Sequence, residues 1–353
     1  MKLVSPLLKR VIYPGLARTG GLRRWASDGP TVLTYHGVLP QGYRVTDPML
    51  DGSLVSPAAL RSQLRLLRRN YQIISPPQFR LWLQGTLELA PHSVLVSCDD
   101  CLQNVLSDML PVLQEFDVPC LFFATGSSLR EQAELLWYEE LYLIMCARAS
   151  QGAISVEGIQ IPWFNVDARR GAWWRLVQQL SAYEPVKRRN LITRFEKASG
   201  LDVGWRSAHL AGEASRRRFY LLQREGLETL AHSRDVFLGA HTATHPVLSK
   251  AADDLAWAEI AAVRDVLQRE LGVEAWALAY PFGDPGSVSD REIALAEKAG
   301  YDCAFLNVEG QMNREHGRFR IPRVHVTGDM SDAEFEAHLS GFHRSVQRLA
   351  GRA

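Results

Sequence analysis

The chain has 353 residues, of which 46% are hydrophobic and 22% charged, and its formal net charge is +1. That composition is ordinary for a globular protein, and the length suits one large α/β domain or two average ones. The near-neutral balance carries no global signature of a nucleic-acid partner.

Five cysteines, Cys98, Cys101, Cys120, Cys146 and Cys303, are few and odd in number, so a disulfide framework is not expected and a reducing compartment is. No apolar run reaches about 18 residues, so no spanning helix is predicted. The first 30 residues do not read as a secretory signal. Lys2, Lys9, Arg10, Arg18, Arg23 and Arg24 are spread through them, and Pro6, Pro14 and several glycines interrupt the apolar pattern. This basic extension reads either as a loosely docked terminus or as a segment that touches an anionic bilayer surface.

In chain order, Thr31–Tyr35 reads as a first strand that ends at His36-Gly37. A histidine there either caps the strand or lies near a site. Ser56-Pro57 opens a helix running to about Arg69, with Ser at the N-cap, Pro at the first helical position and Leu60, Leu64 and Leu67 on one face. Tyr71–Ile74 is a short strand and Pro77–Gln84 a short helix. Ser93–Val96 begins a buried strand that closes on Ser97-Cys98-Asp99-Asp100-Cys101. Val105–Phe116 is helical and Val118–Ala124 is another strand. This alternation predicts a parallel sheet with crossover helices.

The alternation breaks from about 129 to 218. Helical pieces at Glu134–Ala149 and Gly171–Leu180, a hairpin at Ile154–Ile161 and five tryptophans (Trp137, Trp163, Trp173, Trp174, Trp205) fall here or close by. Between Arg148 and Arg224 there are 14 Lys+Arg against 6 Asp+Glu. The segment reads as an insertion over the sheet ends. Its aromatics and arginines suit a sugar ring and a phosphate, or equally a small core with a solvated basic face. Beyond it come a helix at Leu221–His232, a strand at Val236–Gly239, a long helix at Asp253–Leu271 and a strand at Ala275–Ala279. A helix at Asp290–Ala299, strands at Asp302–Phe305 and Arg320–Val326, and a C-terminal helix from about Ser331 complete the chain.

Two adjacent carboxylates at the mouth of a buried strand cost several kcal/mol unless they are paired or bound to a cation. One carboxylate on a metal and the other acting as a base is the chemistry this suggests. His241 and His245 supply two imidazoles four residues apart; on a helical turn they would share one face and one metal. The glutamate that follows the first histidine in zincin proteases is missing. The bland alternative is two histidines capping a helix beside Pro246. Cys98-x-x-Cys101 reads either as half a zinc site or as two small residues packing at the strand end. In a parallel sheet, sites gather at the carboxyl ends of strands, where both stretches lie.

Asp99-Asp100, then His241-Thr242-Ala243-Thr244-His245-Pro246, then Ala279-Tyr280-Pro281-Phe282-Gly283, in that order, resemble the motifs of the polysaccharide deacetylases (carbohydrate esterase family four, the NodB-homology domain). Tyr35-His36 and Arg320-Ile321-Pro322-Arg323 extend the resemblance, which runs from about Val32 to His325 apart from the basic insertion. It implies a distorted (β/α) barrel of about seven parallel strands and metal-dependent deacetylation of a sugar. By position it makes Asp99 the base, and Asp100, His241 and His245 the ligands of a divalent metal, usually zinc. Tyr280, Pro281 and Phe282 would line the acyl pocket and the Phe282 N–H would help bind the oxyanion; His325 stands in the place of the family's late histidine, the acid, and His36 is a further candidate for the acid or for substrate contact. Cys98 and Cys101 stand where the family carries Phe and Gly, so Cys101 is expected to shift the turn. Ala279 stands where many members carry the arginine that orients the base, so Asp99 is expected to need another partner. The Ala-Tyr-Pro-Phe-Gly form belongs to a branch associated with exopolysaccharide and surface-glycan synthesis.

The expected organisation is a basic extension over 1–30 and a deacetylase domain over 31–353 interrupted by the insertion. The expected substrate is an N-acetylated sugar of a surface glycan or its lipid-linked precursor. The expected location is the cytoplasm, with peripheral contact at the inner face of the membrane through the basic N-terminus or the insertion. The alternatives are a glycan-binding relative without activity and a deformylase acting on a lipid-linked amino sugar.

Overall fold

A computed structural model describes residues 4–25, 29–45, 47–132, 134–147, 152–156, 158–163, 166–202, 204–310, 312 and 317–349. The strands are β1 (Thr31–Tyr35), β2 (Gln72–Ile74), β3 (Ser93–Cys98), β4 (Cys120–Ala124), β5 (Gly152–Val156), β6 (Ile159–Trp163), β7 (Val236–Ala240), β8 (Ala277–Ala279), β9 (Cys303–Phe305) and β10 (Val324–His325). Seven of them follow one another in a parallel sheet in the order β10-β1-β3-β4-β7-β8-β9. β2 is an eighth, parallel strand off this path. β1 occupies one edge of β3, so β2 and β4 share the other, pairing with Ser93–Leu95 and Val96–Cys98 respectively.

β1, β3 and β4 are buried at every position. This explains why they read as continuous apolar runs rather than alternating ones: helices cover one face and the barrel interior fills the other. The sheet curls until its edges meet. Ile321 bridges Phe305 of β9, Ala304 N donates to Arg318 O (2.9 Å), and Val326 N donates to Thr34 O of β1 (3.0 Å). One segment, Arg318–Val326, thus spans the gap between the outer strands, and the result is a distorted (β/α) barrel.

The helices form where local signals place them. Ser56 caps Pro57–Asn70 by accepting from Ala59 N, and Ser75 with Gln78 and Ser289 with Glu292 build capping boxes for Pro76–Leu83 and Asp290–Lys298. Asp253–Leu271 ends at Gly272 in the left-handed conformation. The helix expected over Val105–Phe116 is a π-helical turn, Val105–Met109, running into Leu110–Glu115. The expected C-terminal helix is two, Asp332–Leu339 and Phe342–Leu349, separated at Gly341, where φ is 77°.

The insertion has a core of its own. The helices Trp137–Ala147, Val166–Ser181, Pro185–Ala198, Trp205–Leu210 and Glu213–Phe219 pack around Leu141, Ile144, Trp173, Leu176 and Phe195, and β5 and β6 form an antiparallel hairpin. Its ends meet at a neck where Leu135 bridges Tyr220 and Leu221 N donates to Glu134 O (2.8 Å). Leu50 and Val247, from barrel loops, join its core. The basic terminus is docked, not loose: Tyr13 and Leu22 are buried against Ala337, and the Tyr13 hydroxyl bonds His343 Nδ1 at 2.7 Å.

Candidate active site

The parallel sheet brings the carboxyl ends of its strands to one side, and the singled-out residues follow them: His36 after β1, Asp99 and Asp100 after β3, His241 and His245 after β7, Tyr280–Phe282 after β8, His325 within β10. Among the described residues eight non-glycines have positive φ, and five of these (Asp100, Cys101, Thr242, His245, Phe282) lie in three of these loops. Backbone strain of about 1–3 kcal/mol per residue is thus concentrated where side chains must be aimed.

Asp99 N donates to Tyr35 O (2.9 Å), which keeps the end of β3 alongside β1. Cys101 itself takes φ 55°, the conformation a glycine would adopt, and its thiol is buried in the main core. Cys98 packs in the same core, all five cysteines are free, and none belongs to a ligand cluster among the described residues. The half-zinc-site reading is therefore set aside in favour of packing.

Asp99 does have a partner. Arg323, fully buried, donates from Nη1 and Nη2 to the two carboxylate oxygens, both at 2.7 Å. Its Nε–H donates to Leu306 O (3.0 Å), and its plane lies near the Phe123 and Phe305 rings. Burial pushes the Asp99 carboxyl up, but Arg323 and then His241 outweigh it, and the group sits below its ordinary range. The arginine expected two residues before Pro281 is thus replaced from another strand.

Asp100 Oδ1 lies 3.4 Å from His241 Nε2 and 3.3 Å from His245 Nε2. The expected helical turn is absent. His241 ends β7, and left-handed Thr242 and His245 curl the loop so that the rings meet at 4.8 Å, nearly perpendicular. His241 Nδ1–H donates to Ala279 O (2.8 Å), which leaves Nε2 as the free lone pair. Asp100 Oδ1 is buried without a hydrogen-bond partner among the described residues. An orphaned carboxylate oxygen and two imidazole nitrogens, all within 4.8 Å of one another, fit a divalent cation. Burial raises the Asp100 carboxyl, but the two histidines hold it well below its usual range; burial lowers His245, whereas Asp100 keeps His241 raised.

These residues line a cavity of about 220 Å³. His36, Asp99, Asp100, His241, His245, Tyr280 and Phe282 border it, and Tyr138, Glu139 and Trp173 from the insertion cover it. Phe282 is at φ 61°, its ring lies 5.0 Å from His245 and 5.3 Å from both Tyr138 and Trp174, and its N–H makes no hydrogen bond among the described residues. Gly283 at φ 63° is forced: a Cβ there would lie 2.4 Å from Asn307 N. Tyr280 turns its hydroxyl away to Phe319 O (3.4 Å), and neither Pro281 nor His325 borders the cavity. The His325 ring lies 4.7 Å from His36, and burial, then His36, pushes it down to about 3.

Four residues were not foreseen. Tyr138 and Glu139 come from the insertion, whose placement no local pattern announces. Arg218 is buried beside them, donating to Asp51 Oδ1 (2.7 Å), Glu139 Oε1 (3.0 Å) and Leu50 O (2.5 Å). Arg323 had a signal in Arg-Ile-Pro-Arg, but not its partner.

Residues 209–304 match the family model described as polysaccharide deacetylase. No curated protein matches the chain. Among solved structures, Streptococcus pyogenes deacetylase PplD in complex with acetate is 15% identical, with 88% of this chain and 98% of that chain covered and a TM-score of 0.55. IcaB from Ammonifex degensii is 18% identical over 89% and 98% with a TM-score of 0.54. A de-N-acetylase from Aggregatibacter actinomycetemcomitans is 15% identical over 88% and 100% with a TM-score of 0.55. At these identities the structures share the fold, and the segment 209–304 is similar to the polysaccharide deacetylase family, with the ordered motifs on one barrel rim.

Proposed function

We propose that this chain is a metal-dependent hydrolase that removes an acetyl or similar acyl group from an N-acetylated sugar of a surface glycan or its lipid-linked precursor. The observation that carries the reading is the pair of separate carboxylate roles: Asp99 clamped by Arg323, Asp100 left with an oxygen free beside two imidazoles. Asp100, His241 and His245 would hold the ion, and two imidazoles with one carboxylate suit zinc. A divalent ion there supplies Lewis-acid activation of water and of the acyl carbonyl. The acetate in the Streptococcus pyogenes deacetylase supports an acetyl group as the one removed.

Asp99 stays a carboxylate near neutral pH and takes a proton from the attacking water, while Arg323 fixes its orientation. The Phe282 N–H donates to the oxyanion as the carbonyl carbon becomes tetrahedral. The C–N bond then breaks, and the amine leaves with the proton Asp99 had taken. His325, neutral at rest, pairs with cavity-lining His36 as the relay for that proton.

Zinc-loaded protein should release acetate from N-acetyl sugar oligomers or lipid-linked sugars. Asp99→Asn should lower the rate by about 10³-fold or more with zinc retained. His245→Ala should lose both zinc, by elemental analysis, and activity. Metal-free protein that still binds glycan would replace the enzyme with a binding relative, and formate release in place of acetate would replace the acetyl group with formyl.

We place the protein in the cytoplasm at the inner membrane face. Leu7, Val11 and Trp25 are each more than half exposed, Arg10, Arg18 and Arg24 are exposed among them, and the first acidic residue of the chain is Asp28. Lys9 and Arg23 pair with Glu334 and Glu336, but apolar side chains beside the exposed Arg10, Arg18 and Arg24 suit an anionic bilayer. Flotation with anionic but not zwitterionic vesicles, lost in Leu7→Asp/Val11→Asp, is the expected result; equal flotation with both removes the assignment. No described helix is long and apolar enough to cross a membrane.

A further inference from the structure

A second cavity, about 200 Å³, also borders His245 and is lined by residues of the insertion and the barrel. None of the chemistry assigned above uses it. Its walls carry Arg130, Arg188 and Arg189, with Glu134 the one acidic residue that borders it. Arg130 pairs with Glu134 at 2.6 Å, and Arg189 pairs with Glu140 from outside the cavity. Arg188 is different. It is only 3% exposed, its guanidinium lies 4.7 Å from the Trp137 ring, and its Nη2 donates to the Thr244 hydroxyl, which donates in turn to Glu259. Its Nη1 is buried with no hydrogen-bond partner among the described residues.

A buried guanidinium nitrogen without an acceptor is costly, because charge-bearing donors lose the most when left unpaired. A second polar atom of the same cavity is in the same state: Thr125 Oγ1, on a fully buried residue, also lacks a partner. Pro185 and Val186, the first two residues of the 14-residue helix Pro185–Ala198, also border the cavity, and its N-cap residue Glu184 makes no side-chain cap bond. The positive dipole end of that helix therefore borders the same space. Two residues with orphaned polar atoms, an uncapped helix start and two further arginines thus border one volume large enough for a small oxyanion.

We propose that this cavity is a phosphate-binding subsite, with Arg188 and Thr125 as its inner donors and Arg130 and Arg189 at its rim. It shares His245 with the reaction cavity, so a phosphate seated there lies next to the acyl site. The inference deepens the deacetylase reading, on which its link to substrate rests: it selects a phosphorylated sugar over a neutral one. The same chemistry also accommodates free phosphate or pyrophosphate.

Calorimetric titration of the full-length, zinc-loaded chain separates these sources, using inorganic pyrophosphate, N-acetylglucosamine 1-phosphate and N-acetylglucosamine. Pyrophosphate and the sugar phosphate should bind, and the neutral sugar should bind at least about 10-fold more weakly. Arg188→Met and the near-isosteric Thr125→Val should each weaken phosphate binding about 10-fold or more, whereas Asp99→Asn should leave it unchanged. Pyrophosphate binding without sugar-phosphate binding assigns the subsite to the free anion. Because Arg188 is buried, circular dichroism accompanies each variant, and Arg130→Ala/Arg189→Ala tests the rim without disturbing the core. The proposal falls if neither pyrophosphate nor the sugar phosphate binds more tightly than the neutral sugar. It also falls if folded Thr125→Val and the rim variant both bind pyrophosphate as the unsubstituted chain does, the result expected of phosphate held on the metal instead. Binding that depends on Arg188 in a protein releasing no acetate would overturn the deacetylase reading alone.

Discussion

Removing Arg323 tests the arrangement of the base most directly. Its guanidinium is fully buried, makes two 2.7 Å hydrogen bonds to Asp99 and a third to Leu306 O, and lies near two phenylalanine rings. Arg323→Met keeps much of the apolar stem but leaves a carboxylate in the barrel mouth without its main counter-charge. Breaking one side of a buried pair costs about 3–5 kcal/mol. Asp99→Asn should cost a similar amount by leaving Arg323 buried and unpaired. The double variant removes both charges, so its cost should fall short of the sum of the single costs by at least about 2 kcal/mol. Urea unfolding of the four proteins gives this cycle. Arg323→Lys keeps a charge but not the planar fork, so stability should partly return while kcat stays at least about 100-fold down, because the base is no longer aimed. Additive single-variant costs, or Arg323→Lys with unimpaired kcat, would refute the reasoning.

Three further perturbations probe the scaffold. Cys101→Gly relieves left-handed backbone strain of about 1 kcal/mol at the expense of a buried thiol, so urea unfolding should find it within about 1 kcal/mol of the unsubstituted chain, whereas β-branched Cys101→Val should lose about 2 kcal/mol or more. Gly283→Ala forces a Cβ toward Asn307 N and should displace Phe282; a fall in kcat/KM of about 10-fold or more, with a drop in melting temperature, is expected. Arg218→Met strands Asp51 and Glu139 without their shared cation and should cost about 3–5 kcal/mol, read by urea unfolding, with limited proteolysis locating the opening in the insertion.

The fold was legible because its signals are local. Apolar runs bounded by turn residues marked β1, β3, β4 and β7, and the capping serine at position 56 marked a helix start. Asp99, Asp100, His241 and His245 stood out for the same reason: ionisable residues beside buried strands cost too much to lack a purpose. Misreadings arose where a distant element decides. His241 and His245 looked helical by spacing, but two left-handed residues and the Ala279 carbonyl set their geometry. Cys101 stands in the left-handed conformation with its thiol in the main core, which its place in the sequence did not announce. The helix Pro185–Ala198 went unnoticed among its charges and proved to form a wall of the second cavity.

By itself the sequence determined the alternating strands and helices, the insertion and the set of groups that could hold a metal and move a proton, because periodicity, capping and ionisability belong to residues and their near neighbours. Only the tertiary structure decided which groups face one another. Arg323 reaches Asp99 across 224 positions, and it does so because a curled parallel sheet closes its last strand onto its first. Ring closure brings the two residues to the same barrel mouth, and burial makes their pairing obligatory.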